Sequence, residues 1–481
     1  MALTFDQDQK DTIAAIGTGL TEAGIGIVRI SGSRAGDILH KIYRTPKGQI
    51  KTDWKPNTIH YGMLIDPDSG ETIDEVMVSW LKAPHSYTTE DTAEINTHGG
   101  IYLLQRVLDA ALRAGARPAE PGEFTKRAFL GGRLDLSEAG AVMDLIHSQS
   151  EFARKQSLKQ LQGSVSGKVK ELRAAILYEI AFIESALDDP ENYSLDQYPE
   201  HLQELCQKIL TQLRALLKRS ENGKLLQEGI QTAIVGKPNA GKSSLLNYLI
   251  GEDRAIVTPV AGTTRDTLSE TVRLGNVVLH ITDTAGIHET EDVVESIGVE
   301  RAKKELETAQ LILFVTDLAA GITDEDLEIA RLIREEIGLG KACIVIQNKS
   351  DLMDKCTAEQ QTEQCARLRE LLSGDRIEYV TLSLLKEVGT DQLRCTIESL
   401  FHLGEIMDSN EVFVTAEFQK TALRDTIRSL ELVVQSIEMG MSEDFYSIDL
   451  RNAYSALGRM IGEEVEDDLV EEIFSKFCLG K

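Results

Sequence analysis

Apolar positions change period along the chain, and the changes divide it. Up to about residue 120 the pattern is mixed: the apolar runs Ile25–Ile30 and Val76–Leu81 predict strands, and the spacing from Tyr102 to Ala114 predicts a helix. Pro118 and Pro121 mark the end of this region. From Gly122 to about Gly223 the period is helical. Leu136, Ala139, Val142, Met143 and Ile146 form one apolar stripe, and Leu202, Leu205, Ile209, Leu213 and Leu216 form another, both read as core faces. An acidic turn around Pro190 should join two helices. Short apolar runs at Ala233–Val235, Val277–Thr282 and Cys343–Ile346 predict buried strands, and from about Val412 to Phe477 the helical pattern returns. The reading is α/β and all-α in several domains: an α/β domain over 1–121, a helical domain split into 122–228 and 403–481, and an α/β insert over 229–402 with a mostly parallel sheet and flanking helices.

The insert carries the chemistry. Gly236-Lys237-Pro238-Asn239-Ala240-Gly241-Lys242-Ser243-Ser244 follows an apolar run and precedes Leu245-Leu246-Asn247, which meets every spacing of a phosphate-binding loop. Its glycines let successive N–H groups face phosphates, Lys242 can reach the terminal ones, and the Ser243 hydroxyl can ligate Mg²⁺. Asp283-Thr284-Ala285-Gly286 closes an apolar strand, where Asp283 can hold Mg²⁺ through water. Asn348-Lys349-Ser350-Asp351 closes another, and a carboxylate there can accept both the ring N–H and the exocyclic amine of guanine. Adenine lacks that pair of donors, so GTP is the expected nucleotide. Between them, Gly262-Thr263-Thr264-Arg265-Asp266 suits a switch segment closing on the γ-phosphate and Mg²⁺.

Ile287 stands at or beside the place where many GTPases carry a water-orienting glutamine, and an aliphatic side chain cannot orient water. The acidic segment Glu289–Glu295 supplies carboxylates instead, or is a solvated turn. Asn239 is either a turn-forming residue or an amide ligand for a monovalent cation near the phosphates.

A chain of 481 residues implies about three domains. Hydrophobic residues at 42% with aromatics at 5%, no apolar run of membrane-spanning length and no signal-peptide pattern at Met1–Asp6 lead to the expectation of a cytoplasmic protein. Net charge of −27 opposes broad, charge-driven binding of nucleic acid, DNA included, so any RNA contact must be local. Residues 151–175 reverse the sign, with Arg154, Lys155, Lys159, Lys168, Lys170 and Arg173 against Glu151 and Glu171. That segment is read as a solvated helix face or a local contact for RNA or protein. The cysteines Cys206, Cys343, Cys356, Cys365, Cys395 and Cys478 show no paired spacing for zinc or a disulfide framework.

Several segments together resemble the MnmE (TrmE) family of tRNA-modifying GTPases over nearly the whole length. They are Gly24-Ile25-Gly26-Ile27-Val28-Arg29-Ile30-Ser31-Gly32, Ser86-Tyr87-Thr88-Thr89-Glu90-Asp91 with Glu94 and His98-Gly99-Gly100, Pro121–Leu130, and the terminal Phe477-Cys478-Leu479-Gly480-Lys481. The resemblance implies a Ras-like GTPase domain and an N-terminal domain similar to tetrahydrofolate-binding domains that dimerises. Arg29, Glu94, Arg133 and Lys481 match the folate contacts: the three cations would suit folate carboxylates, and Glu94 the pterin N–H groups. Asn239, Thr258, Val260 and Thr263 match a K⁺ site, Ser243 and Thr264 the Mg²⁺ ligands, and Glu295 the catalytic glutamate. Besides Mg²⁺ and K⁺, the implied cofactor is a 5-formyl- or methylene-tetrahydrofolate. The implied partners are a second copy, tRNA, and an MnmG-like protein that carries FAD and completes a heterotetramer. The activity implied is K⁺-activated GTP hydrolysis coupled to building an aminomethyl-type or carboxymethylaminomethyl group on C5 of wobble uridine.

Ser383-Leu384-Leu385 stands where a Ser-Ala pair usually backs the guanine. Cys478 is either a nucleophile toward C6 of uracil or a thiol packed beside a terminal helix. A ribosome-assembly or signalling switch shares the GTPase motifs and is the competing reading. Folate affinity of the N-terminal region separates the two.

Overall fold

The structure, a computed structural model, describes residues 11–189, 191–193, 195, 197–252, 270–275, 277–281, 306–338, 340–355, 358–401, 413–465, 467–478 and 480. The chain forms two compact units. Unit 1 comprises residues 1–143, 160–207 and 421–481, and unit 2 comprises 144–159 and 208–420.

Unit 1 begins with a seven-stranded sheet. Its strands are β1 (Ile13–Ile16), β2 (Ala23–Ser31), β3 (Tyr43–Arg44), β4 (Thr58–Ile65), β5 (Thr72–Leu81), β6 (Thr92–Gly99) and β7 (Arg117–Pro118), in the order β3-β4-β5-β6-β2-β1-β7. Neighbours are antiparallel except β1 and β7. Strand side chains alternate between faces. Val28, Ile30, Val78 and Ile95 enter the core with α1 (Ala35–Ile42) and α2 (Ile101–Arg113). The opposite face carries Arg29, Glu94 and the exposed Ile59, Tyr61 and Met77. Arg29 lies directly across from Glu94 in the β2–β6 register, which is how two distant sequence segments meet.

The helices that follow are α3 (Glu123–Leu130), α4 (Leu136–His147), α5 (Glu151–Leu161), α6 (Ser164–Asp188) and α7 (Tyr198–Glu228). In unit 1, Val169, Leu172, Ile176, Ile180 and Ile183 make α6 an apolar stripe.

Unit 2 is built on a six-stranded sheet of β8 (Ile230–Val235), β9 (Glu270–Leu274), β10 (Val277–Ile281), β11 (Leu311–Asp317), β12 (Ala342–Asn348) and β13 (Ile377–Thr381). The order is β13-β12-β11-β8-β10-β9, parallel throughout except for β9 against β10. Every residue of β11 is buried, as expected of a strand covered on both faces. Helices α8 (Lys242–Glu252), α9 (Asp324–Gly338), α10 (Ala358–Leu371) and α11 (Thr390–Leu400) accompany the sheet. The chain ends in α12 (Glu417–Glu438), α13 (Glu443–Ile461) and α14 (Asp467–Ser475). In unit 1, α13 packs on α6, and Phe474 of α14 meets Phe129 of α3 with ring centroids 6.1 Å apart.

The expected α/β, helical and mostly parallel regions are all present. Three details differ. Ile146, in the last turn of α4, is exposed rather than part of the buried α4 stripe. On α7 the buried stripe is rotated by about one position: Cys206 and Leu210 are buried, while Leu205 and Leu216 are half-buried. The basic segment 151–175 is no single face. Arg173 is buried against Glu463 and Glu464 of unit 1, Arg154 and Lys155 pair with Glu151, and Lys168 pairs with Glu171.

Candidate functional sites

The phosphate loop of unit 2 joins β8 to α8. Gly236 has φ +152°, and a Cβ there would overlap the Val315 carbonyl of β11, so only glycine lets the loop pass so close to the sheet. Gly241 has φ +109°, and a Cβ there would overlap the side-chain amide of Asn348. That amide donates to the Ala240 carbonyl at 3.0 Å. Asn239 holds the left-handed region at φ 61°, and its carbonyl accepts from Lys349 Nζ at 3.0 Å. Lys242 Nζ donates to the Gly236 and Lys237 carbonyls at 2.7 and 2.9 Å. Ser243 and Ser244 follow in the first turn of α8. The loop that holds phosphates is thus pinned by the strand ends that read the base.

Around the base-reading end, Ser383 Oγ donates to Asp351 Oδ1 at 2.6 Å. This hydroxyl, followed by smaller effects, holds the Asp351 carboxyl below its ordinary range. The Leu384 N–H approaches Asn348 Oδ1 at 3.4 Å, while Leu385 is 86% exposed. Lys349 also pairs with Asp317 Oδ2 at 2.6 Å. Burial pushes the Asp317 carboxyl up, but the Lys349 ammonium and the Ala320 and Ala319 N–H groups outweigh it and leave the carboxyl low. Asp317 ends β11 just as Asn348 ends β12, and that strand-end position was the sequence signal for it.

Thr258, Val260, Thr263, Thr264, Asp283, Thr284, Ala285, Gly286 and Glu295 lie outside the described residues, as do Ile287, Pro190 and Cys356. Lys481 does as well, although its neighbour Gly480 is described.

Unit 1 contains a cavity of about 760 Å³ on the sheet face opposite α1 and α2, lined by Arg29, Leu81, Pro84, His85, Ser86, Tyr87, Thr89, Glu94, Gly131, Gly132 and Arg133. Three of the four residues matched to folate contacts therefore converge. Their roles separate. Arg29 donates to Glu94 Oε1 through Nε at 2.9 Å and Nη2 at 2.8 Å, and to the Gly480 carbonyl through Nη1 at 3.0 Å. Arg29 lines the cavity while donating to these protein oxygens. Arg133 donates to the Ser86 carbonyl at 3.0 Å and lies 4.9 Å from the centre of the Tyr87 ring. Tyr87 was within a quoted motif but carried no assigned role. The Arg29 guanidinium also lies near its ring, at 5.7 Å from the centre.

The quoted segments around Tyr87 and Phe124 are joined beneath this cavity. Arg127, 7% exposed, bonds both oxygens of Glu90 at 3.1 Å, Glu123 at 2.8 Å and Asp11 at 2.7 Å. The Tyr87 hydroxyl and Thr125 Oγ1 share a hydrogen bond of 3.0 Å. The terminal segment is seated there too: Gly122 N–H approaches the Cys478 carbonyl at 3.4 Å, and the half-buried Cys478 lies beyond α14. Cys206 and Cys343 are buried, and burial pushes the Cys206 thiol up to about 12, so neither suits nucleophilic work. No cluster of metal-ligating side chains, and no helix long and apolar enough to cross a membrane, occurs among the described residues.

A parallel sheet with a phosphate loop at β8 and a guanine-reading Asn-Lys-x-Asp at the end of β12 define a P-loop GTPase. The profile of the GTP-binding protein TrmE N-terminus matches residues 12–133, and that of the MnmE helical domain matches residues 136–478. The tRNA modification GTPase MnmE of Lachnoclostridium phytofermentans is 48% identical over 474 residues, 98% of this chain and 100% of the relative. Its counterpart in Bacillus subtilis is 44% identical over 472 residues, again 98% of this chain and 100% of the relative. A solved structure of Era with MgGDPNP and nucleotides 1506–1542 of 16S ribosomal RNA is 31% identical, covering 42% of this chain and 67% of that one with a TM-score of 0.26. The chain belongs to the MnmE family of tRNA modification GTPases.

Proposed function

We propose that this GTPase is activated by K⁺, works as a homodimer with an MnmG-like FAD protein, and installs an aminomethyl or carboxymethylaminomethyl group on C5 of wobble uridine in tRNA, taking its one-carbon unit from a tetrahydrofolate. GTP hydrolysis within tRNA modification follows from the family. The remainder is our reading of the site. Lys242 exchanges its loop carbonyls for the terminal phosphates, Ser243 and Thr264 hold Mg²⁺, and the Asp351 carboxylate takes the two guanine donors. Asn239 is exposed, with no side-chain hydrogen bond among the described residues, so its amide oxygen is open to a monovalent cation together with Thr258, Val260 and Thr263. Such a cation would supply positive charge near the phosphates, and Glu295 would orient the attacking water.

The observation that carries the folate half is the convergence of Arg133, Glu94 and Tyr87 on one cavity. Its volume lies within the range of small-molecule sites. Arg133 offers a cation for a ligand carboxylate, Tyr87 an aromatic surface, and Glu94 an oxygen, Oε2, beside the one that Arg29 engages. Arg29 is the residue that orients Glu94 and ties Gly480 to the cavity. Calorimetric titration with 5-formyltetrahydrofolate tests this. Arg133→Ala should weaken binding at least roughly tenfold, the scale of a lost charge-assisted contact, with an unchanged melting temperature. Full affinity in that variant would remove the cavity from the mechanism.

A further inference from the structure

Lys237, the second residue of the phosphate loop, buries its ammonium instead of exposing it. Nζ donates to the Gly321 carbonyl at 2.9 Å and to Asp326 Oδ2 at 2.8 Å. Asp326 is fully buried in the first turn of α9. Its Oδ2 also accepts from the Thr323 N–H and hydroxyl, each at 2.8 Å, which is the returning half of a capping box at the start of the helix. Asp326 Oδ1 has no hydrogen-bond partner among the described residues. A buried carboxylate with one unsatisfied oxygen stays in place only while its counter-charge stays with it. The same residue's backbone faces the site: the Lys237 carbonyl, with that of Gly236, accepts the ammonium of Lys242. Lys237 is therefore held at its side-chain end by the start of α9, and at its carbonyl it holds the lysine that serves the phosphates.

We propose that Lys237 is a positioning residue for GTP. Its buried pair with Asp326 sets the peptides on either side of Lys237 in the shape the nucleotide needs, so that binding spends little on ordering the loop. A loop ordered in advance raises affinity by removing that cost, and the chemical step is touched much less. Lys237 meets no reacting atom and acts only through the backbone it fixes. The sequence signal is the loop's Lys237 together with Thr323-Asp324-Glu325-Asp326 opening a helix.

The test uses the full chain and four proteins: wild type, Lys237→Met, the double variant Lys237→Met with Asp326→Asn, and Lys237→Arg. The single Met variant strands the Asp326 charge and loses fold stability whatever the loop does. The double variant removes both charges, leaves an oxygen for the Thr323 cap, and isolates the loop. Affinity for a fluorescent GDP analogue, kcat for GTP and melting temperature are read on each. The double variant should melt within a few degrees of wild type, bind nucleotide about tenfold more weakly and keep kcat at saturating GTP within about threefold. Lys237→Arg should restore affinity to within about threefold, since a guanidinium can make the same pair. Wild-type affinity in the double variant would overturn the proposal. So would a double variant that melts as low as Lys237→Met, because the pair would then serve the fold and not the loop.

Discussion

Ser383 and Asp351 show how one hydroxyl sets the working range of a base-reading carboxylate. The Ser383 hydroxyl is the largest influence holding the Asp351 carboxyl low, so the group stays ionised to a lower pH than a free aspartate would. A guanine-reading aspartate must be ionised to accept two N–H groups. In Ser383→Ala the carboxyl returns toward its ordinary range near ~3.9, so nucleotide binding should be lost at a higher pH on acidification than in wild type. Binding curves for GDP from neutral pH down to about pH 3, through the ordinary aspartate range, with an NMR titration of Asp351, check this. Superimposable acid limbs would contradict it. Sequence placed Asp351 and Ser383 at the base-reading end from the motif and the family resemblance. It could not place the bond between them, because 32 residues separate the two and only the pairing of β12 with β13 brings them together.

Between elements, Arg127 is a buried anchor of unit 1. It joins α3 to the segment that holds Tyr87, and Arg117 adds a second cation to the same Glu123 and Asp11. Burial pushes the Glu123 and Asp11 carboxyls up, but their arginines outweigh it, and both end low. Groups whose folded pKa is depressed contribute stability above the ordinary carboxylate range and lose it as pH falls through the folded value. Arg127→Met should therefore cost about 3–5 kcal/mol at neutral pH, the scale for stranding one side of a buried pair, and the difference should shrink below about pH 4. Both tryptophans, Trp54 and Trp80, lie in unit 1, so urea unfolding followed by their fluorescence reads this unit directly. An equal difference at neutral and acid pH would count against the network.

Element positions were legible where periodicity was strong. The strands around Ile25–Ile30 and Val76–Leu81 and the helix from Tyr102 fall within a few residues of β2, β5 and α2. Arg29 was legible as a candidate site residue, but its pairing with Glu94 was not, because an arginine's partners depend on strand register. Only the β2–β6 pairing shows Glu94 opposite it. The basic run at 151–175 misled for the same reason: a linear count of charge cannot see Arg173 folding inward onto Glu463 and Glu464.

At the scale of the whole molecule, the chain passes between its two units inside α4, α5, α7 and α12, so four helices carry the covalent links between the part with the cavity and the part with the phosphate loop. Net charge of −27 leaves tRNA recognition to local contacts. In the proposed mechanism, hydrolysis depends on a monovalent cation and a carboxylate from the acidic segment, since Ile287 stands at or beside the place of the usual glutamine. Steady-state GTP hydrolysis in matched KCl and NaCl, for wild type and Glu295→Ala, tests it most directly. Wild type should hydrolyse GTP at least about tenfold faster in K⁺, and the variant should be slow in both salts, on the scale of a lost water-positioning group. Equal rates in Na⁺ and K⁺, or a Glu295→Ala protein that keeps the K⁺ stimulation, would contradict it.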